Sequence, residues 1–190
     1  MKHIMLDLET MGNGNRAAIV AIGACEFDPH NTPLVYGQEP SIARTFYEKI
    51  NLQSSIDAGM QIDASTVLWW MQQSDEARKS TFGGVVISLH DACVALAGFV
   101  NQVSAHTMKD AAMWGNGATF DNVIIRSAFK AVGIDPPWSF RNDKCYRTVI
   151  NLLPENRQPP FERSGTAHNA LDDAITQALY LQKVYKELGL

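Results

Sequence analysis

Residues 4–10, Ile-Met-Leu-Asp-Leu-Glu-Thr, decide how this chain is read. Ile4-Met5-Leu6 is an apolar run too short for a helix and reads as a strand. Side chains two apart on a strand share a face. Asp7 and Glu9 therefore project together and Leu8 turns away. Two carboxylates this close repel each other and resist burial unless a cation sits between them. An exposed acidic pair on a sheet edge is the bland alternative; a divalent-metal site at a strand end is the sharper one. The rest of the chain has to choose.

On the C-terminal side, residues 10–16 form a turn rich in Gly and Asn, residues that accept positive φ cheaply. Residues 18–27 alternate loosely and predict a second strand, closed by Asp28-Pro29. A loop follows, then a third strand over 42–50; short connections predict an antiparallel meander. Ser65 is the expected N-cap of a helix over 66–73 that holds Trp69 and Trp70. Asp75-Glu76-Ala77-Arg78 opens another short helix. Residues 88–103 are amphipathic, with Leu89, Cys93, Leu96, Ala97 and Val100 on one stripe. Ala111 to Trp114 predict a fourth strand, and 119–132 a helix ended by Gly133 and kept from resuming by Pro136-Pro137. A short fifth strand is expected over 138–142 and a helix over 146–153, stopped at Pro154. Residues 155–165 read as a mobile polar loop, and a long helix covers 169–188. This order predicts an α/β protein, a mixed sheet with helices packed on it.

The length of 190 residues suits one domain, 1–190, with a full core. The formal net charge of −4 argues against a protein that coats duplex DNA, but not against an enzyme that grips one strand end. Cys25, Cys93 and Cys145 are odd in number, far apart and without zinc spacing, so they read as reduced thiols. With no signal segment and no membrane span, the expected location is cytoplasmic.

Two more stretches bear on the acidic pair. Trp114-Gly115-Asn116-Gly117-Ala118-Thr119-Phe120-Asp121 puts a carboxylate in the first turn of a helix that follows a strand. An acid there also serves the helix dipole. Ala167-His168-Asn169-Ala170-Leu171-Asp172-Asp173 opens the last helix with a His and two acids. Asp172 would share the face of His168 if both were helical, and Asp173 lies about 100° further round; spacing does not say which acid faces a site. Four carboxylates can bind two hard cations such as Mg²⁺ or Mn²⁺. A His beside them can act as a base near neutral pH.

Asp-x-Glu-Thr near the N-terminus, Phe-Asp after a strand and His-x-Ala-x-x-Asp-Ala near the C-terminus resemble the DEDD superfamily of 3′→5′ exonucleases, in its histidine variant. The motifs stand in the family's order and span Asp7 to Asp173. The tyrosine variant would want Tyr four residues before the last acid, where this chain has Asn169. The resemblance implies a ribonuclease H-like fold with a mixed five-stranded sheet. It implies Asp7, Glu9, Asp121 and Asp173 as metal ligands and His168 as general base, with Asp172 as the helix-start acid. Many relatives carry Asn where Gly117 stands, with Asn116 one residue further back; this leaves Asn116 outside the implied contacts.

Asp-Leu-Glu-Thr-Met-Gly, the double-Trp stretch 65–74 and Trp-Gly-Asn-Gly-Ala-x-Phe-Asp look closer still to phage-encoded 3′→5′ exonucleases and related small bacterial exoribonucleases. The implied reaction is two-metal hydrolysis of a phosphodiester at the 3′ end of single-stranded DNA or RNA. Thr10, Met11, Trp69, Trp70 and Phe120 are the expected substrate contacts, Met11 as a wedge between bases and the aromatics as stacking faces. An oligoribonuclease-like enzyme for short RNA is the alternative within hydrolases, and a non-catalytic nucleic-acid binder the alternative outside them. Small relatives point to a homodimer, with closed two-fold symmetry.

Overall fold

A computed structural model of the protein describes residues 1–30, 42–105 and 111–190. The expected loop after Pro29 falls largely on 31–41, outside the described residues. Five strands form one mixed sheet: β1 (Lys2–Thr10), β2 (Ile19–Phe27), β3 (Arg44–Lys49), β4 (Ala111–Gly115) and β5 (Asp143–Cys145). Their order is β3-β2-β1-β4-β5. The first three strands are the antiparallel meander read from the sequence, while β4 runs parallel to β1 and β5 parallel to β4.

The pleat of β1 divides the core. Ile4, Leu6 and Leu8 join one apolar cluster, which also takes in α4 (Leu89–Val103) and α5 (Asp121–Ala131). Met5 belongs to the cluster on the opposite face, with Cys25, Phe27, Trp114 and α7 (Ala170–Leu188). By parity Asp7 and Glu9 continue the Met5 face, the face that α7 covers. The strand does not stop at Asp7 but carries both acids inside it as far as Thr10. A register shift between Glu9 and Thr10 then ends the regular pairing with β2.

Two glycines let helix starts lie against the sheet. A Cβ on Gly23, the β2 partner of Asp7, would come within 2.1 Å of the Ala170 carbonyl carbon. One on Gly115, at the end of β4, would come within 2.5 Å of Asn122 Oδ1 and 2.9 Å of Asp121 Cβ. With no side chain at either place, α7 and α5 begin directly on the backbone beside β1.

Some local expectations need correction. The Trp helix, α2, spans Ala64–Met71 with Asp63 as N-cap, not Ser65. Asp63 makes no capping bond; its carboxylate accepts the Asn13 N–H at 2.8 Å and ties α2 to the turn after β1. Residues 138–142 are not a strand. The Trp138 ring is buried edge-on against Phe129 and its Nε1–H donates to Asp143, and Phe140–Asn142 is a 3-10 turn capped by Ser139. The fifth strand starts at Asp143. Helix α6 is short, Tyr146–Ile150. Helix α1, Leu52–Asp57, has no counterpart in the sequence reading, because six residues carry too little periodicity to show. Helix α3, Asp75–Phe82, and helix α4 form where expected, and the structure adds their N-caps, Ser74 and Ser88. Among the described residues no helix is long and apolar enough to cross a membrane.

Candidate metal centre and active site

The site forms where β1 outruns its parallel neighbour. β1 pairs with β4 as far as Met5 opposite Trp114. Beyond that, the carboxylate of Asp121 takes the place of a neighbouring strand. Its Oδ1 accepts the Leu8 N–H at 3.2 Å and its Oδ2 the Asn116 N–H at 2.7 Å. Asp121 is 1% exposed. Burial raises its pKa to about 6, against the pull of those N–H groups and of Arg147.

Asp7 and Glu9 share the α7 face, as β1 parity requires. Gln177 on α7 donates Nε2–H to Asp7 Oδ1 at 2.7 Å. Burial first, then the charges of Asp121, Glu9 and Asp173, push Asp7 well above the usual carboxylate range. Glu9 is raised to about 8 by burial and by Asp173 and Asp121, with Arg163 pulling the other way. Asp173, in the first turn of α7, pairs with Arg163 and accepts the His168 N–H at 3.2 Å.

The neighbouring acid turns elsewhere: Asp172 Oδ2 accepts the Thr166 N–H at 2.8 Å. His168 precedes the helix, whose N-cap is Asn169, so helical spacing from His168 does not apply. Glu9, His168 and Asp173 each place a ligand atom within 4.8 Å of the others.

These residues fit hard divalent cations. The donors are carboxylate oxygens, with one imidazole beside them; burial raises Asp7, Glu9 and Asp121, and neighbouring acids add to it at Asp7 and Glu9. Arg163 already brings positive charge to Asp173. The buried amide oxygen of Gln177 has no partner among the described residues, so protein atoms do not close the polar demand next to Asp7.

The expected substrate contacts divide. Trp70 is 3% exposed, and its Nε1–H donates to the Thr10 carbonyl at 2.9 Å. Met11 is buried in the same core cluster. Neither side chain offers a face to a base, so the wedge and one of the two stacking assignments are corrected: α2 turns Trp70 inward under the end of β1. The side chain of Thr10 is likewise buried, its hydroxyl donating to the Gly12 carbonyl at 2.6 Å. Trp69 is 40% exposed, and its ring meets His168 edge-on with centroids 5.0 Å apart. Phe120 lines an open pocket of about 480 Å³ with Asn116, Thr148 and Arg147, whose Nη2 donates to the Asn116 carbonyl at 3.0 Å.

Three residues at the site escaped the sequence reading. Gln177 is four residues after Asp173, on the same helix face, a signal that was there to use. Arg147 and Arg163 come from segments whose local sequence does not point at the acids.

The family model of the Rv2179c-like 3′-5′ exoribonuclease domain matches residues 2–185. An exodeoxyribonuclease of Enterobacteria phage T4 is 30% identical over 170 residues, covering 80% of this chain and 72% of the phage protein. In fold the chain resembles the nuclease domain of 3′hExo, a DEDDh family member solved with rAMP, at TM-score 0.62 and 11% identity over 97% of this chain and 92% of that one. It also resembles S. pombe Pop2p in its Mg²⁺- and Mn²⁺-bound form, at TM-score 0.60 and 14% identity, covering 97% and 82%. A third similar structure is E. coli exonuclease I with a dT13 oligonucleotide, at TM-score 0.63 and 13% identity; 99% of this chain spans 42% of that longer protein. The sheet order and these likenesses are those of the ribonuclease H-like fold. By the match along nearly its whole length, the chain belongs to the Rv2179c-like 3′-5′ exoribonuclease domain family.

Proposed function

We propose that residues 1–190 act as one metal-dependent exonuclease domain that shortens single-stranded nucleic acid from its 3′ end. The observation that carries this reading is the convergence of Asp7, Glu9, Asp121 and Asp173 from β1, α5 and α7 beside His168. Those four carboxylates hold two divalent cations, Mg²⁺ or Mn²⁺. When bound, the cations supply a more acidic water and charge stabilisation for the departing 3′ oxygen.

The protein's own groups do the rest. The imidazole of His168, when neutral, takes a proton from the attacking water. The water oxygen bonds to phosphorus and the P–O3′ bond breaks, releasing a 5′-mononucleotide. The departing 3′ oxygen takes a proton from solvent, His168 returns its proton to solvent, and the strand is left one residue shorter with a 3′-hydroxyl. Gln177 holds Asp7 in place through its amide. Trp69 stacks on a base, and Phe120 with Arg147 receives a neighbouring nucleotide and its phosphate in their pocket.

The family description favours RNA as substrate, and the phage relative is named for DNA. The test is cleavage of matched 5′-labelled DNA and RNA single strands in Mg²⁺ or Mn²⁺ and in chelator. The expected result is a ladder shortening from the 3′ end that chelator abolishes, with the faster strand naming the preferred sugar. Undiminished cleavage in chelator, or none with either cation, overturns the reading. Sedimentation of the same sample tests for a homodimer.

A further inference from the structure

His168 is the residue of the site whose backbone is most constrained. Its φ is +62°, a left-handed conformation that a residue with a Cβ holds only where its surroundings impose it. Both of its backbone polar groups are taken. The N–H donates to Asp173 Oδ2 at 3.2 Å, and the carbonyl accepts from Thr81 Oγ1 at 2.9 Å. Among the described residues no side chain hydrogen-bonds either ring nitrogen. The ring packs T-shaped against Trp69 and Trp70, at 5.0 and 6.2 Å between centroids, and a ring nitrogen lies within 4.8 Å of carboxylate oxygens of Glu9 and Asp173. A base is usually aimed by a group bonded to its second ring nitrogen. Here the aim comes through the main chain.

Thr81 is 1% exposed, near the end of α3, and far in sequence from the acidic and His motifs of the site. Its helix grips the same segment at two more points. Asn169 Nδ2 donates to Ser80 Oγ at 2.6 Å, and Thr166 Oγ1 donates to Glu76 Oε1 at 3.1 Å. The Tyr47 hydroxyl on β3 donates to the Ser80 carbonyl at 3.1 Å and so braces α3 from the sheet. Asn169 meanwhile caps α7, accepting the Leu171 and Asp172 N–H groups. The turn carrying His168 is thus strung between α3 and α7.

We propose that Thr81 is a positioning residue for His168: its hydroxyl holds the left-handed turn that aims the imidazole at the carboxylate cluster. The inference rests on His168 acting as the base. Loss of the hydroxyl frees the turn to relax toward ordinary φ, which moves the ring while leaving the metal ligands and the strand contacts in place.

The test is a double-mutant cycle by single-turnover hydrolysis in Mg²⁺, using Thr81→Val and His168→Ala. Thr81→Val should slow the chemical step by about 10- to 10²-fold, the scale of a small misplacement, with KM near wild type. Thr81→Ser should restore the rate. In the His168→Ala background, Thr81→Val should cost nothing further. If Thr81→Val does not fold, the Ser and Ala variants at this position provide the same contrast, since the hydroxyl is present in the first and absent in the second. Equal slowing in both backgrounds, or a wild-type rate without the hydroxyl, overturns the proposal. An unchanged rate in His168→Ala alone overturns the base assignment on which it stands.

Discussion

Glu9 keeps its proton to about pH 8 because it is buried among Asp173 and Asp121 with little positive charge to offset them. Asp7 is raised in the same sense, and Asp121 to about 6. An acid whose pKa is higher folded than unfolded binds more protons when folded, so its contribution to stability is full below the unfolded pKa and is lost as pH rises through the folded one. His3 opposes this at lower pH. It accepts a hydrogen bond from Trp114 on Nδ1, and burial lowers it from 6.5 to about 4, so its contribution rises between those values and is flat above. The acids therefore decide the slope above about pH 6.5. In chelator, the thermal midpoint should fall from pH 6.5 to 8 and beyond, and Mn²⁺ should restore it at pH 8. A midpoint in chelator that holds steady or rises over that range would refute the claim that these buried acids are raised. The two acids of α7 should also separate. Asp173→Asn should abolish hydrolysis and weaken cation binding, whereas Asp172→Asn should mainly loosen the Thr166 turn. Normal turnover in Asp173→Asn would mean that the wrong acid has been assigned.

At the scale of elements, the site exists because two helices start on bare backbone. The Ala170 carbonyl carbon would lie 2.1 Å from a Cβ at position 23, and no rotamer relieves a clash between main chains. Gly23→Ala should therefore lift the start of α7, and with it Asp173 and His168. The expected cost is about 1–3 kcal/mol or more in a denaturant melt, the usual range for overpacking. Cation affinity should fall as well. Wild-type affinity in that variant would show that the seat of α7 on β2 does not set the geometry of Asp173. Helix α2 makes a second element-level claim, since Trp70 is buried while the adjacent Trp69 is partly open to solvent. Trp70→Ala should destabilise the fold by about 3–5 kcal/mol, as loss of a buried aromatic does. Trp69→Ala should leave the melt nearly unchanged and weaken binding of a non-cleavable single strand by about 1–3 kcal/mol. A large stability loss from both variants would remove the stacking role.

For the whole molecule, a net charge of −4 and an acidic site mean that the bare protein repels the strand it cuts. On the proposed reading, attraction comes from cations bound at the four acids, with local help from Arg147 and Arg163. Two phosphate contacts on a single strand give a slope of about −1.4 in log affinity against log salt. Titrating a non-cleavable strand over a salt series in Ca²⁺ measures that slope. A value of −4 or steeper would reveal a basic track across the surface that these two arginines do not explain. The mixed sheet supports this arrangement: the meander positions Asp7 and Glu9, the parallel return positions Asp121, and the last helix closes over both with Asp173.

Local pattern was enough for much of this. The alternation of Ile4 to Glu9 places two acids on one face, and the apolar stripe of residues 88–103 marks α4. The long apolar stripe of α7 and the breakers at Gly133 and Pro136 are likewise written into neighbouring residues. Period, caps and breakers act within a turn or two, so a single sequence carries them. The motifs in order then pointed to five residues as a set, which the fold brings near one another. Their mutual geometry, and the fate of their neighbours, lay beyond that reach. Whether Trp69 or Trp70 turns inward depends on a carbonyl at Thr10. Whether Asp172 or Asp173 meets Glu9 depends on how the start of α7 seats on the backbone of β2. The tight seats at Gly23 and Gly115 depend on helices far along the chain. These are contacts between segments distant in sequence, set by which faces pack together, and only the folded chain brings them within bonding distance.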